Sequence, residues 1–287
     1  MCPRRMGRTD TMLRRPFGPS HLMVPVIGQG TWTMERNPTE SIAALRRGLE
    51  LGLTHIDTAE MYGAGRVEEV VGEAIRGRRD EVFLVSKVLP INATARGTVE
   101  ACDRSLRRLR THWLDVYLLH SPSYHPFEET LKGFRELMDL GKIRAFGVSN
   151  FDLDRLDEAL ALSRPEGIAC DQVLYHLKDR WIEHGLIEHC SSVDVAVVGY
   201  SPFGQGDFPA GHPVLAEIAA AHHATPRQVA LRFLTRYPGT FTIPKSSTVA
   251  HVGEIAGAAT VELDEDDIAR IDAAFPLGPV EAGLPRL

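Results

Sequence analysis

Four polar residues of types that can move a proton are spaced along the first half of the chain. Asp57, Lys87 and His120 each lie at the end of a short apolar run, and Tyr62 follows Asp57 in the next loop. A lysine beside a carboxylate keeps its charge, and that charge lowers the pKa of a neighbouring phenol. The set therefore predicts that Tyr62 is a general acid for the oxygen of a substrate carbonyl. A neutral His120 would hydrogen-bond to the same oxygen. A fixed polar pocket of this kind stabilises the charge that develops on the oxygen during hydride attack.

Each of these residues also has a purely structural interpretation. Asp57 would cap the following helix, Tyr62 would be an ordinary loop aromatic, Lys87 a solvated charge and His120 a structural histidine. The catalytic interpretation holds only if the fold brings all four side chains to one place.

Short apolar runs alternate along the chain with amphipathic stretches. The runs are continuous and rich in β-branched residues, which is typical of strands that are buried on both faces. Helical periodicity fills the intervals, as at residues 38–52, 94–109 and 126–141. The predicted strands are residues 24–30, 53–59, 81–87, 114–120, 143–149, 168–173, 194–200 and 240–245.

This alternation, at steps of about 30 residues, predicts an α/β fold: a single-domain (β/α)8 TIM barrel. Active sites of this barrel lie at the carboxyl ends of the strands, where the four polar residues occur. Residues 14–24 predict a hairpin around Gly18 and Pro19. Residues 212–223 predict an extra helix in the loop after strand seven, and a further helix is expected at the C-terminus.

Charge and composition exclude several classes of partner. The net charge of the 287 residues is −6, and the body of the chain lacks the basic run that nucleic-acid binding requires. Residues 1–15 hold five arginines and one aspartate, so we expect a flexible basic leader over 1–13 and a barrel domain over 14–287. No segment reaches the roughly 18 apolar residues of a membrane span.

The cysteines are scattered, with no C-x-x-C pair. This spacing predicts neither a disulfide nor a structural zinc site, and it fits a cytoplasmic protein. The four positions are Cys2, Cys102, Cys170 and Cys190.

Seven separated motifs give the chain a family resemblance. From about residue 24 to residue 275 it closely resembles the aldo-keto reductases, and within them the bacterial members proposed to reduce methylglyoxal and similar small aldehydes. The motifs are HIDTAEMYGAGRVEEVVGEAIRG (55–77), VSKV (85–88), LDVYLLHSP (114–122), GKIRAFGVSNF (141–151), QVLYH (172–176), YSPFGQG (200–206) and IPKSS (243–247).

The resemblance implies NADPH-dependent reduction of small aldehydes or ketones. It implies Tyr62 as the general acid, Lys87 and Asp57 as the pair that tunes it, and His120 as the residue that orients the carbonyl. Trp32 and Ser121 would line the substrate pocket with Tyr62 and His120. The cofactor residues implied are Ser149, Asn150 and Gln172 at the carboxamide, Tyr200 at the nicotinamide ring, Ser201, Phe203 and Gly204 at the pyrophosphate, Lys245 and Ser246 at the 2′-phosphate, and Glu254 at the adenine.

Two features depart from the family pattern. His251 stands where relatives often carry an arginine on the 2′-phosphate, and a histidine lacks the permanent charge and bidentate fork of arginine. NADH therefore stays open as an alternative to NADPH. The chain after Phe275 is short, which predicts an open substrate site. We expect a monomer that acts on a small carbonyl substrate, with no metal, nucleic-acid or membrane partner.

Two other functions compete with this one. Asp57, His120 and His176 offer ligand types for a metal-dependent barrel hydrolase. A barrel that binds NADP(H) without turnover, as a regulatory subunit or redox sensor, would need the cofactor residues but no proton donor such as Tyr62.

Overall fold

Eight parallel strands form the centre of the molecule in a computed structural model, which describes residues 12–279 and 283–286. The strands lie side by side in the sheet in the order of the sequence. Backbone hydrogen bonds join the two edges, from Gly28 to Thr242 at 2.8 Å and from Gly30 to Pro244 at 3.0 Å, so the sheet closes. The strands are β3 (Gln29–Gly30), β4 (His55–Asp57), β5 (Phe83–Val88), β6 (Leu114–Leu119), β7 (Ile143–Ser149), β8 (Cys170–Leu174), β9 (Ala196–Tyr200) and β10 (Thr240–Thr242).

Helices surround this barrel and bury their apolar stripes against it. Local signals fix their ends: Pro38 opens the first helix, and Thr225 and Gln228 form a reciprocal capping box before the eighth. The extra helix in the loop after the seventh barrel strand and the C-terminal helix are both confirmed. The helices are α1 (Pro38–Glu50), α2 (Arg66–Ala74), α3 (Ala95–Leu109), α4 (Phe127–Asp139), α5 (Leu153–Leu162), α6 (Leu186–Ser192), α7 (Pro213–Ala221), α8 (Pro226–Leu234), α9 (Val249–Gly257) and α10 (Glu265–Ala274).

The predicted N-terminal hairpin is confirmed. Strands β1 (Arg14–Pro16) and β2 (Met23–Pro25) pair antiparallel, and Phe17 between them is fully buried. The ring of Phe17 packs 4.8 Å from that of Phe83 and 4.9 Å from that of Phe241, at the amino ends of β5 and β10. The hairpin therefore plugs the end of the barrel opposite the strand ends that carry the polar residues.

The prediction of one strand over residues 24–30 is wrong. Val24 belongs to the hairpin, whereas Gln29 and Gly30 pair with β4 in the barrel. Pro25 ends the hairpin strand, and a proline has no amide hydrogen with which to continue a ladder. One apolar run thus supplies two strands of different sheets.

The leader predicted over residues 1–13 falls mostly outside the described residues, since 1–11 are not among them. Met12 is buried and the Leu13 carbonyl accepts a hydrogen bond from Val26, so the last two residues of the predicted leader are packed against the rest of the protein. Cys2 also lies outside the described residues, and Cys102, Cys170 and Cys190 are buried free thiols. Within the described ranges, none of the helices is long and apolar enough to cross a membrane.

The alternation of side chains along the strands places charge above an apolar interior. Phe83 and Val85 point into the barrel with Phe241, and Lys87 follows them on the same face of β5 because strand side chains repeat every two residues. Asp57 stands two residues after His55 in the same way. The last interior layer, at the carboxyl ends of the strands, is therefore polar and buried.

An ionic cluster fastens the C-terminal helix to the barrel. The buried guanidinium of Arg180 lies 2.6 Å from Glu183, 2.5 Å from Asp272 of α10 and 2.6 Å from the Phe275 carbonyl. Beyond it Leu284 is buried in the apolar cluster outside the barrel. These contacts bring the end of the chain back toward the strand ends.

Candidate active site

The four side chains predicted from the sequence meet at the carboxyl end of the barrel. Lys87 Nζ donates hydrogen bonds to Asp57 Oδ1 at 2.5 Å, to the Thr58 carbonyl at 2.8 Å and to the Tyr62 hydroxyl at 3.4 Å. The Tyr62 ring packs edge-on against His120, with 5.7 Å between ring centroids. Lys87 and Asp57 are both 0% exposed, so Lys87 is no solvated charge and Asp57 is no helix cap.

The loop after β4 turns sharply to bring Tyr62 over Lys87. The Tyr62 amide donates to the Ala59 carbonyl, and Gly63 and Ala64 both adopt positive φ angles, of 56° and 54°. A side chain at Gly63 would also lie 2.8 Å from Glu35. The close approach of Glu35 favours glycine at position 63, and the turn sets the height of the phenol above the strand ends.

Both oxygens of Asp57 are engaged. Lys87 holds Oδ1, and the side-chain amide of Gln172 donates to Oδ2 at 2.8 Å. Gln172 thus links β8 to the ion pair formed by β4 and β5. The same side chain lines the cavity described below, where the sequence predicted a contact with a carboxamide.

The charges of the site are set by burial and by the ion pair. Burial lowers the pKa of Lys87, but the Asp57 carboxylate and the Tyr62 hydroxyl together outweigh it, so the net shift is upward and the ammonium persists. Burial lowers the pKa of His120 to about 3, with Lys87 contributing, so His120 is neutral as predicted.

The predicted direction of the Tyr62 pKa is wrong. Burial raises the pKa of this phenol above its ordinary value, and the opposing effect of Lys87 does not overcome it. Desolvation penalises the charged phenolate more than one cation at 3.4 Å favours it. Tyr62 therefore stays protonated at neutral pH.

A cavity of about 450 Å³ opens above these residues. This volume suits a small ligand with part of a larger one. Eight lining residues escaped prediction because they lie in loops or follow no polar signal: Gly30, Thr31, Met61, Leu89, Pro90, Gln205, Ile243 and Arg286. The predicted residues that line it are Trp32, Asp57, Tyr62, His120, Ser121, Ser149, Asn150, Gln172, Tyr200, Ser201 and Lys245.

Hydroxyl and amide groups form a hydrogen-bonded frame along one wall. Ser149 Oγ donates to the Gln172 carbonyl at 2.7 Å, and Asn150 Nδ2 donates to Ser149 Oγ at 3.1 Å and to the His120 carbonyl at 3.3 Å. The Tyr200 hydroxyl donates to Asn150 Oδ1 at 2.9 Å. The frame offers the donors and acceptors that a carboxamide needs, beside an aromatic ring.

Known proteins of the same fold resemble this chain over nearly its whole length. A family model described as the aldo/keto reductase family matches residues 26–275. The chain belongs to the aldo/keto reductase family. It is therefore an oxidoreductase, and its barrel fold is that of its solved neighbours.

Individual relatives are similar at high coverage. A methylglyoxal reductase of Escherichia coli is 45% identical over 260 residues, 88% of this chain and 92% of the relative. A glyoxal reductase of Bacillus subtilis is 33% identical over 87% of this chain and 88% of its own. An aldo/keto reductase of Klebsiella pneumoniae, solved in complex with NADP and acetate, has a TM-score of 0.91 at 39% identity, covering 96% of this chain and 100% of its own.

Lys245 brings a cation to the rim of the cavity. Lys245 follows β10, and among the described residues no carboxylate lies within ion-pair distance of its amine. An unpaired cation beside an amide frame fits a phosphorylated nicotinamide cofactor.

Five predicted cofactor residues lie outside the cavity wall, on the loops that follow β9 and β10 and on α9. Three of them contact neighbouring residues: the Phe203 ring packs against Phe208, Ser246 Oγ donates to the Thr248 carbonyl, and Glu254 accepts from Thr225 at 2.7 Å. The other two are Gly204, beside the His176 ring, and His251, exposed in the first turn of α9.

The residues of the metal-hydrolase alternative do not form a metal site. Across the described part of the chain, no three His, Cys, Asp or Glu side chains cluster at ligand spacing. Both oxygens of Asp57 are held by Lys87 and Gln172, and His176 is not part of the cavity wall that Asp57 and His120 line.

The buried ion pair predicts a strong coupling in stability. Lys87→Met leaves the Asp57 carboxylate buried without its cation, and we expect it to lower the free energy of unfolding by about 3–5 kcal/mol. The double variant Asp57→Asn with Lys87→Met should lose less than the sum of the two single changes, as measured by urea denaturation. Additive losses would show that the two charges do not interact.

Proposed function

We propose that this protein reduces small aldehydes or ketones to alcohols with NADPH, with methylglyoxal-type compounds among its candidate substrates. The observation that carries the proposal is the contact of 3.4 Å between Lys87 Nζ and the Tyr62 hydroxyl, at a cavity that His120 also lines. The names of the relatives from Escherichia coli and Bacillus subtilis support the reaction, and the NADP complex of the Klebsiella pneumoniae neighbour supports the cofactor.

Each catalytic residue has a separate role in the reduction of the carbonyl. When bound, the reduced nicotinamide supplies a hydride to the carbonyl carbon. Tyr62 and neutral His120 hold the oxygen, and Tyr62 transfers its hydroxyl proton to it. Lys87 donates a hydrogen bond to the phenolate that remains, and Asp57 keeps Lys87 charged and fixed. These dipoles are in place before the reaction, so little reorganisation opposes it.

The cofactor residues follow the order of the strands around the barrel. Ser149, Asn150 and Gln172 would hold the carboxamide and Tyr200 the nicotinamide ring. The residues further along the cofactor would be Ser201, Phe203 and Gly204 at the pyrophosphate, Lys245, Ser246 and His251 at the 2′-phosphate, and Glu254 at the adenine.

The cytoplasmic location and the monomeric state stay predictions from the sequence.

Removal of the proton donor tests the proposal directly. Tyr62→Phe should lower kcat/KM for methylglyoxal with NADPH by about 10²–10⁴-fold, because general acid catalysis contributes that much. Tyr124→Phe is the matched control, since Tyr124 is 77% exposed and does not line the cavity. Wild-type turnover in Tyr62→Phe would refute the assignment. NADPH binding by the wild type without turnover on any carbonyl would favour the non-catalytic alternative.

The pH dependence of reduction follows from the pKa shifts. The acid form of Tyr62 is the active one, and its pKa is raised above 10.0. His120 gains a proton only near its pKa of about 3. Activity should therefore be flat from about pH 5 to pH 9 and fall only as pH rises through the Tyr62 pKa. An inflection between about pH 6 and 8 that disappears in His120→Asn would contradict these charge states.

Cofactor choice can be probed at His251. We expect His251→Arg to tighten NADPH about tenfold while NADH changes little, because a permanent bidentate cation gains only from the 2′-phosphate. His112→Arg adds the same charge at an exposed site before β6 and is the control. Dissociation constants from cofactor fluorescence give the result, and equal effects on both cofactors would mean that residue 251 does not face the phosphate.

A further inference from the structure

Arg286 is a charged side chain at the cavity for which the mechanism above has no use. It lines the cavity although the sequence predicted that the short tail would leave this site open. One guanidinium nitrogen donates to the Asn150 carbonyl at 3.1 Å. The tail reaches this point because Arg180 anchors the end of α10 and Leu284 is buried beyond it.

The position of Arg286 separates it from the phosphate side of the cavity. Lys245 follows β10, which closes the barrel against β3. Arg286 contacts the end of β7, three strands away from β10 and next to β6, which ends before His120. Asn150, which accepts from Arg286, itself donates to the His120 carbonyl at 3.3 Å. Arg286 therefore lies on the side of the residues that would hold the substrate carbonyl.

The guanidinium has donors to spare. Its side chain is exposed, and within the described residues no carboxylate lies within ion-pair distance of it. The one acidic side chain of the cavity wall, Asp57, is already engaged by Lys87 and Gln172. A guanidinium presents five N–H donors in a planar fork that matches a carboxylate. Arg286 also acts on the buried Asp171, but burial raises the pKa of that carboxyl to about 8, so it is largely uncharged at neutral pH. Within the described residues, the substrate side of the cavity thus carries a positive charge that no carboxylate contacts.

We propose that the preferred substrates are short aldehydes or ketones that carry a carboxylate, which pairs with Arg286 while the carbonyl faces Tyr62 and His120. This inference rests on the proposed reductase function and narrows its substrate class. The carboxylate is unchanged in the reaction, and only the carbonyl is reduced.

A matched pair of substrates tests the role of Arg286. Succinic semialdehyde and methyl 4-oxobutanoate share a four-carbon aldehyde chain, but only the first is an anion. The ratio of kcat/KM for the acid to kcat/KM for the ester, with NADPH, should fall about 10- to 100-fold in Arg286→Gln. The change should come mainly from a higher KM of the acid, because a charge-assisted hydrogen bond is lost. Arg107→Gln on α3 removes an exposed arginine far from the cavity and should leave the ratio unchanged. Thermal unfolding of each variant checks the fold.

The outcomes separate this inference from the proposed function. An equal acid-to-ester ratio in wild type and Arg286→Gln, with both compounds reduced, overturns the role of Arg286 and leaves the reductase function intact. If neither compound is reduced, succinate binding to the NADP-loaded protein decides the role of Arg286, and the reductase function fails only if methylglyoxal is not reduced either. Trp32, 47% exposed at the cavity, provides a fluorescence signal for that titration. Weaker succinate binding in Arg286→Gln supports the carboxylate site, and unchanged binding refutes it.

Discussion

Burying an ammonium and a carboxylate in a protein interior costs several kcal/mol per ion, so the Lys87–Asp57 pair demands a complete set of partners. The structure provides them: Lys87 Nζ has three acceptors, and Asp57 has Lys87 on one oxygen and Gln172 on the other. These contacts tie β4, β5 and β8 together across the barrel mouth. Because apolar residues of equal volume often stabilise as well as a buried pair, the pair is better explained by what it does to Tyr62 than by stability.

The ion pair does not lower the pKa of Tyr62 below its ordinary value. Burial keeps the phenol protonated, and burial together with Lys87 keeps His120 neutral, so both present hydrogen-bond donors to a carbonyl at neutral pH. In the proposed reaction, Lys87 matters most after proton transfer, when it would face a phenolate in a buried site. A low dielectric strengthens that contact just as it penalises the isolated charge. The site thus opposes ionisation at rest and stabilises it only within the reaction.

The sequence was sufficient for the parts of this site that follow from strand periodicity. Asp57, Lys87 and His120 could be placed together because parallel strands end at one rim. The direction of the Tyr62 pKa could not, since it depends on how much water the packed loop excludes. The strand over 24–30 was mispredicted because one apolar run serves two sheets. Arg286 carries no sequence signal, since an irregular tail brings it to a loop more than a hundred residues earlier.

Asn150 connects the two halves of the cavity. Its φ of 62° lies in the left-handed region that asparagine tolerates better than most residues, and this turn exposes its carbonyl to Arg286 while its side chain reaches the His120 carbonyl and the Tyr200 hydroxyl. Strained backbone of this kind persists only where its surroundings hold it. The hydrogen-bonded frame, His120 and Arg286 therefore share one residue. A shift of the tail would move the Asn150 carbonyl, and with it the side-chain amide of the frame.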